Sequence, residues 1–220
     1  VEIIDDVEIL DTSLYFKKHK MLIIGDLHLG VEDSLIRDGF LIPKSQFKII
    51  KENLNKILDS REIKNIVING DIKHEFSKIN KQEREDVYTL LNFLKDKYEI
   101  EIILGNHDNI IRKVLESKGY KVKSFFCVDN IIILHGDHIP LEVLDKEIII
   151  IGHEHPSVLL KEGAKVEKYK CFIKGKWKDK ILIVMPSFNP LSEGTDILNE
   201  EFLSPFMQES INKFELFVVG

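Results

Sequence analysis

The sequence is poor in the residues that define several common protein classes. Its 220 residues include only two cysteines, Cys127 and Cys171, and no CxxC motif, so neither a disulfide framework nor a thiolate zinc site is expected. No apolar run approaches the roughly eighteen residues needed to span a bilayer. The first ten residues, VEIIDDVEIL, lack a basic flank and alternate like a strand, which favours a cytoplasmic protein over a secreted one.

Positive charge is also in short supply. The formal net charge is −6, with 31 basic residues against 37 acidic ones, which excludes a globally basic nucleic-acid binder. Contact with a phosphate backbone then requires a local patch or a metal site. Residues 161–180 are rich in lysine, and this segment is either such a patch or the solvated face of a strand. Its lysines are Lys161, Lys165, Lys168, Lys170, Lys174, Lys176, Lys178 and Lys180.

Short apolar runs that end in a glycine or a histidine recur along the chain. Each is typical of a buried strand that meets a tight turn. The runs are MLII (21–24), IVIN (66–69), IIL (102–104), IIIL (131–134) and IIII (148–151). Apolar residues recur at helical spacing in 44–59 and 80–97. This alternation predicts an α/β fold, with its site at the carboxyl ends of the strands.

The pattern changes after about residue 119. Strand-like runs at 121–128, 169–174, 181–185 and 213–219 follow with little helix between them. We therefore expect a second, more antiparallel sheet that packs on the first, with helices outside.

Metal-ligating side chains follow the glycine-marked strand ends. Five of the eight histidines lie there, accompanied by two aspartates and an asparagine. These residues are Asp26, His28, Asp71, Asn106, His107, His135, His153 and His155. Nitrogen and oxygen ligands without thiolate suit Mn²⁺, Fe, Zn²⁺ or Co²⁺. The set is too large for one tetrahedral ion and fits two ions that share a bridging carboxylate, roughly 3.5–4 Å apart in such centres.

The motif IGHEHP (151–156) places two histidines two positions apart. In an extended backbone, residues i and i+2 share a face, so we expect His153 and His155 to reach one site. Three histidines lie outside the strand-end pattern, and two of these, His19 and His138, are expected at the surface.

The order of these motifs resembles that of the calcineurin-like metallophosphoesterases. The shared motifs are D-x-H, GD-x-x-H, GNHD, HG and GHxH, within residues 22–155. The stretches GDLHLG, GDIKHEF, GNHD and GHEHP are similar to the archaeal SbcD-related, ICC-like phosphoesterases, as is the tail MPSFNPLSEGTD (185–196). Bacterial relatives of that branch include a phosphoesterase associated with a DNA ligase and a repair helicase.

The resemblance implies a fold and a ligand set. The fold is a four-layer α/β/β/α sandwich of two mixed sheets, expected here as a single catalytic domain over residues 1–220 without a separate cap. One ion would be held by Asp26, His28 and His155, and the other by Asn106, His135 and His153, with Asp71 bridging them. Mn²⁺ is the expected metal, with Fe, Zn, Ni and Co as alternatives.

The resemblance also implies catalytic roles for two further histidines. His107 follows the ligand Asn106 without being a ligand itself, and is expected to be the general acid that protonates the leaving alkoxide. His74 lies three residues after Asp71, where the double-strand-break nucleases also carry histidine. It is expected to contact phosphate or to position His107.

Three functions remain open on the sequence alone. The first is a metal-dependent phosphodiesterase that acts on nucleic acid, with DNA as the expected substrate and a repair helicase or another DNA-binding protein as partner. The second is a phosphodiesterase for cyclic or dinucleotide substrates, because both would use the same motifs. The third is a non-catalytic metal-binding scaffold, which the full set of ligands and His107 disfavours.

Overall fold

The computed structural model describes residues 1–163, 165–199, 201–208 and 213–220. Within these residues, seven strands form a first mixed sheet in sequence order: β1 (Glu2–Ile4), β2 (Val7–Leu10), β3 (Ser13–Phe16), β4 (Met21–Gly25), β5 (Asn65–Asn69), β6 (Glu99–Ile103) and β7 (Lys121–Lys123). Strands β1 to β4 pair antiparallel, and β4 to β7 pair parallel. The opening segment is a hairpin rather than one strand, because the chain turns at Asp6, whose φ is 65°.

A second mixed sheet follows. Its strands are β8 (Phe125–Val128), β9 (Ile131–Leu134), β10 (Ile148–Ile151), β11 (Pro156–Glu162), β12 (Lys165–Trp177), β13 (Lys180–Val184), β14 (Thr195–Asp196) and β15 (Glu215–Val218). The order is β14-β11-β12-β13-β10-β9-β8, with β15 beside β12. The expectation of two mixed sheets is confirmed. The run at 121–128, expected as one strand, is divided between the sheets as β7 and β8.

The helices are α1 (Val31–Arg37), α2 (Gln46–Ser60), α3 (Lys81–Lys95), α4 (Arg112–Ser117) and α5 (Pro205–Gln208). The two long helices lie where helical spacing predicts them. Helix α3 begins with a capping box, in which the Asn80 side chain accepts from the Glu83 N–H and Glu83 reaches back to Asn80. Helices α2 and α3 bury their apolar stripes with the outward residues of the first sheet.

The outer helical layer on the second sheet is thin. Within the described residues it consists of a 3₁₀ helix (Leu141–Asp145) and the four-residue α5, which pack on Trp177 and its neighbours. No helix in the described parts of the chain combines the length and apolar character needed to cross a membrane.

The space between the sheets is filled by alternate residues of the central strands. In β4, Leu22 and Ile24 face the helices, whereas Met21 and Ile23 face the second sheet. Phe172 meets this inner core from the second sheet. Because the sheets are packed face to face, the carboxyl ends of β4, β5 and β6 lie near those of β9 and β10. The metal-ligating motifs follow those ends.

Two lysines of the lysine-rich segment, Lys168 and Lys170, hydrogen-bond to the main chain of a distant segment. The Lys170 side chain is largely covered, and its Nζ donates to the Ser187 carbonyl over 2.7 Å. Burial lowers the pKa of Lys170 to about 8. The Lys168 Nζ donates to the Gly194 carbonyl over 2.7 Å. These ammonium groups tie strand β12 to the segment that follows β13, which composition could not indicate.

Candidate metal centre

The loops that carry the metal-ligating residues are held by continued backbone pairing. Beyond β4, the Asp26 N–H donates to the Gly70 carbonyl over 3.1 Å and the His28 N–H to the Asp71 carbonyl over 2.8 Å. In the second sheet, the Gly152 N–H donates to the His135 carbonyl over 2.9 Å. These bonds fix the loops relative to one another before any side chain is considered.

Left-handed backbone conformations are concentrated at the site. Five of the seven predicted ligands have positive φ, a region that costs non-glycine residues free energy. They are Asp26 (53°), His28 (41°), Asp71 (46°), His153 (69°) and His155 (47°). The extended backbone expected for the two histidines of GHEH is therefore wrong. Their side chains reach the site because the chain turns at each of them.

Two glycines leave room for ligand side chains. A Cβ on Gly105 would lie 2.1 Å from the Asp71 Oδ1. Gly70 has a φ of +75°, and a Cβ there would lie 2.2 Å from the His135 Nδ1. The glycines that end the strands thus allow the buried ligands to approach the backbone closely.

The first ligand group consists of Asp26, His28 and His155, whose ligand atoms all lie within 4.8 Å of one another. The two Nε2 atoms of His28 and His155 are 3.3 Å apart, and the His155 Nε2 is 3.4 Å from the Asp26 Oδ1. That buried carboxylate oxygen has no hydrogen-bond partner in the structure. Three electron-pair donors therefore converge on one point.

The second group consists of Asp71, His135 and His153, also within 4.8 Å. The His135 Nε2 lies 3.0 Å from the His153 Nδ1 and 3.4 Å from the Asp71 Oδ2. The Asn106 Oδ1 lies 2.9 Å from the same His135 nitrogen, which brings the predicted amide ligand to this group. The two histidines of GHEH therefore belong to different groups.

Asp71 lies between the two groups. Its Oδ2 is 3.4 Å from the His135 Nε2 and 3.6 Å from the His28 Nε2, which belong to separate groups. A carboxylate in this place could contact ions in both, as expected of a bridging ligand.

The electrostatics of the site favour bound cations. Burial raises the pKa of Asp26, but the charges of His155 and His135 outweigh it and leave the pKa below its usual value. Burial and then the charge of His155 lower the pKa of His28 to about 3, so its imidazole is neutral. Burial also lowers the pKa of His135, but the hydrogen bond and charge of Asp71 raise it to about 9. Positive charge is therefore favoured between Asp26 and Asp71.

The donor set fits two divalent ions. It contains imidazole nitrogens, carboxylate oxygens and one amide oxygen, without sulfur. A pair of carboxylates this deeply buried requires compensating positive charge. The site residues predicted from the motifs are thus brought together, and their assignment as ligands is a proposal that the geometry supports.

His107 and His74 lie on one side of this centre. The His107 Nδ1 hydrogen-bonds the His74 main-chain carbonyl, and its Nε2 lies 3.7 Å from the Asp71 Oδ2. His28, His74 and His107 also form a third group of imidazoles within 4.8 Å. Asp108 instead accepts hydrogen bonds from the N–H groups of Ile72 and Gly105, as expected of a residue that fixes the turn.

Sequence reasoning missed a brace between two ligand loops. The Ser204 N–H donates to the carboxylate of Glu154, which separates the two histidines of GHEH. The Ser204 Oγ donates to the Gly136 carbonyl over 2.6 Å, next to His135. Ser204 lies in the sequence SPF (204–206), far along the chain from both ligand loops, so no local sequence pattern identifies it.

A family model described as calcineurin-like phosphoesterase matches residues 19–216. Among solved structures, the chain is similar to the Pseudomonas putida nuclease MPE, with 18% identity, 96% of this chain and 88% of that chain covered, and a TM-score of 0.63. It is also similar to Chaetomium thermophilum Vps29, with 15% identity, coverages of 83% and 76%, and a TM-score of 0.37. No curated protein sequence gives a significant match.

The family model covers most of the chain, and the fold and the ligand groups agree with it. The chain belongs to the calcineurin-like phosphoesterase family and is a metal-dependent phosphoesterase. The family expected from the motifs is confirmed.

Replacement of Asp71 by asparagine should remove both ions, because it weakens the one side chain that lies between the two groups. After Mn²⁺ loading and desalting, we expect the metal content measured for this variant to be well below one ion per chain, compared with about two in the parent. Asp129→Asn, at an exposed carboxylate away from the site, should retain the parent content. One ion per chain in both the parent and Asp71→Asn would contradict the shared site.

Replacement of Ser204 by alanine should weaken metal binding, because it removes the hydroxyl that ties Ser204 to the Gly136 carbonyl beside His135. We expect roughly tenfold weaker Mn²⁺ affinity by calorimetry, the lower range for residues that orient ligands indirectly. Ser117→Ala is the matched control, because its hydroxyl also donates to a carbonyl but is exposed. An unchanged affinity in Ser204→Ala would show that the brace does not position the ligands.

Proposed function

We propose that this protein is a divalent-metal-dependent phosphodiesterase that cleaves nucleic acid, with DNA as its substrate in repair or processing. The observation that carries the proposal is the position of His107, whose Nε2 lies 3.7 Å from the carboxylate between the two ligand groups. A proton donor at that distance suits a reaction whose leaving group is a poorly stabilised alkoxide.

Seven residues would hold the ions. Asp26, His28 and His155 would bind one ion, Asn106, His135 and His153 the other, and Asp71 both. When bound, the ions supply Lewis-acid stabilisation of charge on the phosphoryl oxygens and lower the pKa of an attacking water. We propose Mn²⁺ as the physiological metal, with Fe, Zn, Ni and Co to be compared with it.

His107 would donate the proton to the leaving oxygen. Its Nδ1 is engaged by the His74 carbonyl, so the Nε2–H of the protonated ring points toward the ligand groups. The side chain is 11% exposed, which protects this orientation from water. The His74 main chain thus positions the acid. The His74 side chain has a buried Nδ1 without a hydrogen-bond partner, and we propose that it contacts a phosphate oxygen.

Nucleic acid as substrate is supported by the motif resemblance and by the fold likeness to a protein named as a nuclease. The net charge of −6 means that long-range attraction to DNA is weak. We therefore propose that a DNA-binding partner, such as a repair helicase, supplies additional affinity. A cytoplasmic location is proposed because Cys127 is an exposed unpaired thiol, which suits a reducing compartment.

The substrate class can be tested directly. The Mn²⁺-loaded protein would be incubated with single-stranded DNA, duplex DNA, RNA, a cyclic dinucleotide and bis-p-nitrophenyl phosphate, with Asp71→Asn as the inactive control. Cleavage of DNA with a higher kcat/KM than that of the cyclic dinucleotide would support the proposal. Preference for the cyclic dinucleotide would favour the small-molecule reading, and no turnover of any substrate would favour the scaffold.

Replacement of His107 by alanine should retain both ions and reduce turnover. Because an alkoxide needs a proton, we expect a loss of about 10²–10⁴-fold in kcat on DNA. The loss should be much smaller on bis-p-nitrophenyl phosphate, whose leaving group is stable as an anion. Equal losses on the two substrates would contradict the role of His107 as the acid.

A further inference from the structure

An exposed aromatic ring lies against the proposed acid. The rings of Phe76 and His107 have centroids 3.4 Å apart, with planes inclined by 32°. Phe76 is nevertheless 58% exposed. Single exposed apolar residues are ordinary on protein surfaces. Phe76 differs from the others because it combines this exposure with contact to a residue of the proposed reaction centre.

The segment that carries Phe76 is held in place by its neighbours. The N–H of Glu75 donates to the Glu83 Oε1 over 2.7 Å, and the Glu75 carboxylate pairs with Arg37 at the end of α1. The Glu75 carbonyl accepts from Lys73, which is fully buried. Contacts on each side of Glu75 thus restrict the backbone just before Phe76. Because this backbone is already restricted, a ligand that contacts the Phe76 ring would bind without a large loss of conformational entropy in the loop.

The position of the ring relates it to the leaving group. A general acid must lie within hydrogen-bond reach of the oxygen that it protonates. In a nucleic acid that oxygen belongs to a nucleoside, whose base is attached one sugar ring away. Because Phe76 is next to the acid, it lies on the side of the centre where this nucleoside leaves.

We infer that Phe76 is a stacking platform for the nucleobase on the leaving side of the scissile phosphate. The inference rests on the proposed function and deepens it. A base can stack on an aromatic side chain only when it is unpaired and splayed out, so the substrate would be single-stranded nucleic acid. Every base has a π-face, and the contact would therefore be tolerant of sequence.

The test uses single-stranded DNA in which one linkage is a phosphodiester and the others are methylphosphonates. Three versions carry normal bases throughout, an abasic residue on the 5′ side of that linkage, or one on the 3′ side. For the parent, we expect kcat/KM to fall about ten- to a hundredfold on one abasic version, the size of a base-stacking contact. Phe76→Ala should show a similar loss on the normal substrate and no further loss on that abasic version.

Two variants separate stacking from support of the acid. Phe76→Tyr should keep the activity of the parent, because it retains an aromatic face. Phe40→Ala, at a phenylalanine that is also 58% exposed, should behave as the parent does. A loss in Phe76→Ala that is equally large on normal and abasic DNA would mean that the ring only supports His107, which overturns the inference.

The failures of the two proposals are distinguishable. A parent protein that cuts normal and abasic DNA at equal rates would overturn the stacking role and leave the nuclease proposal intact. A parent that hydrolyses bis-p-nitrophenyl phosphate but cuts none of the DNA versions would overturn the nuclease proposal, and the inference would fall with it.

Discussion

Two buried carboxylates, Asp26 and Asp71, are the constraint on which the rest of the structure depends. Both are almost completely removed from solvent and both have pKa values held below the usual range, so they carry negative charge in a region of low dielectric. Such charge is stable only when cations or several hydrogen-bond donors compensate it. Imidazoles from loops of both sheets surround the two carboxylates. Divalent ions would offset the free-energy cost of burying these carboxylates most fully.

This constraint explains why so much irregular backbone is concentrated at one edge of two regular sheets. Ligands with left-handed φ follow β4, β5 and β10, and each costs free energy that a loop chosen for stability alone would avoid. The strained loops persist because strand pairing continues into them, as between His28 and Asp71, and because Ser204 ties two of them together. The packed core between the sheets keeps the scaffold rigid, and the strained loops at its edge carry the metal-ligating residues.

The sequence predicted the parts of the fold that follow from local patterns. Apolar runs stopped by glycine identified the strands that carry the ligands, and helical spacing identified α2 and α3 to within a few residues. Long-range features were not predictable in this way. Whether a strand such as β8 joins the first or the second sheet depends on packing, and the covered position of Lys170 depends on carbonyls from a distant segment. The contact of Phe76 with His107 likewise depends on a loop geometry that the residue types do not specify.

The central claim is that two metal ions lie on either side of Asp71. Anomalous diffraction from crystals loaded with Mn²⁺, recorded above and below the manganese absorption edge, tests it most directly. We expect two anomalous peaks. One should lie among Asp26, His28 and His155, and the other among Asn106, His135 and His153, with Asp71 in contact with both. A single peak, or a peak among His28, His74 and His107 in place of either, would contradict the account.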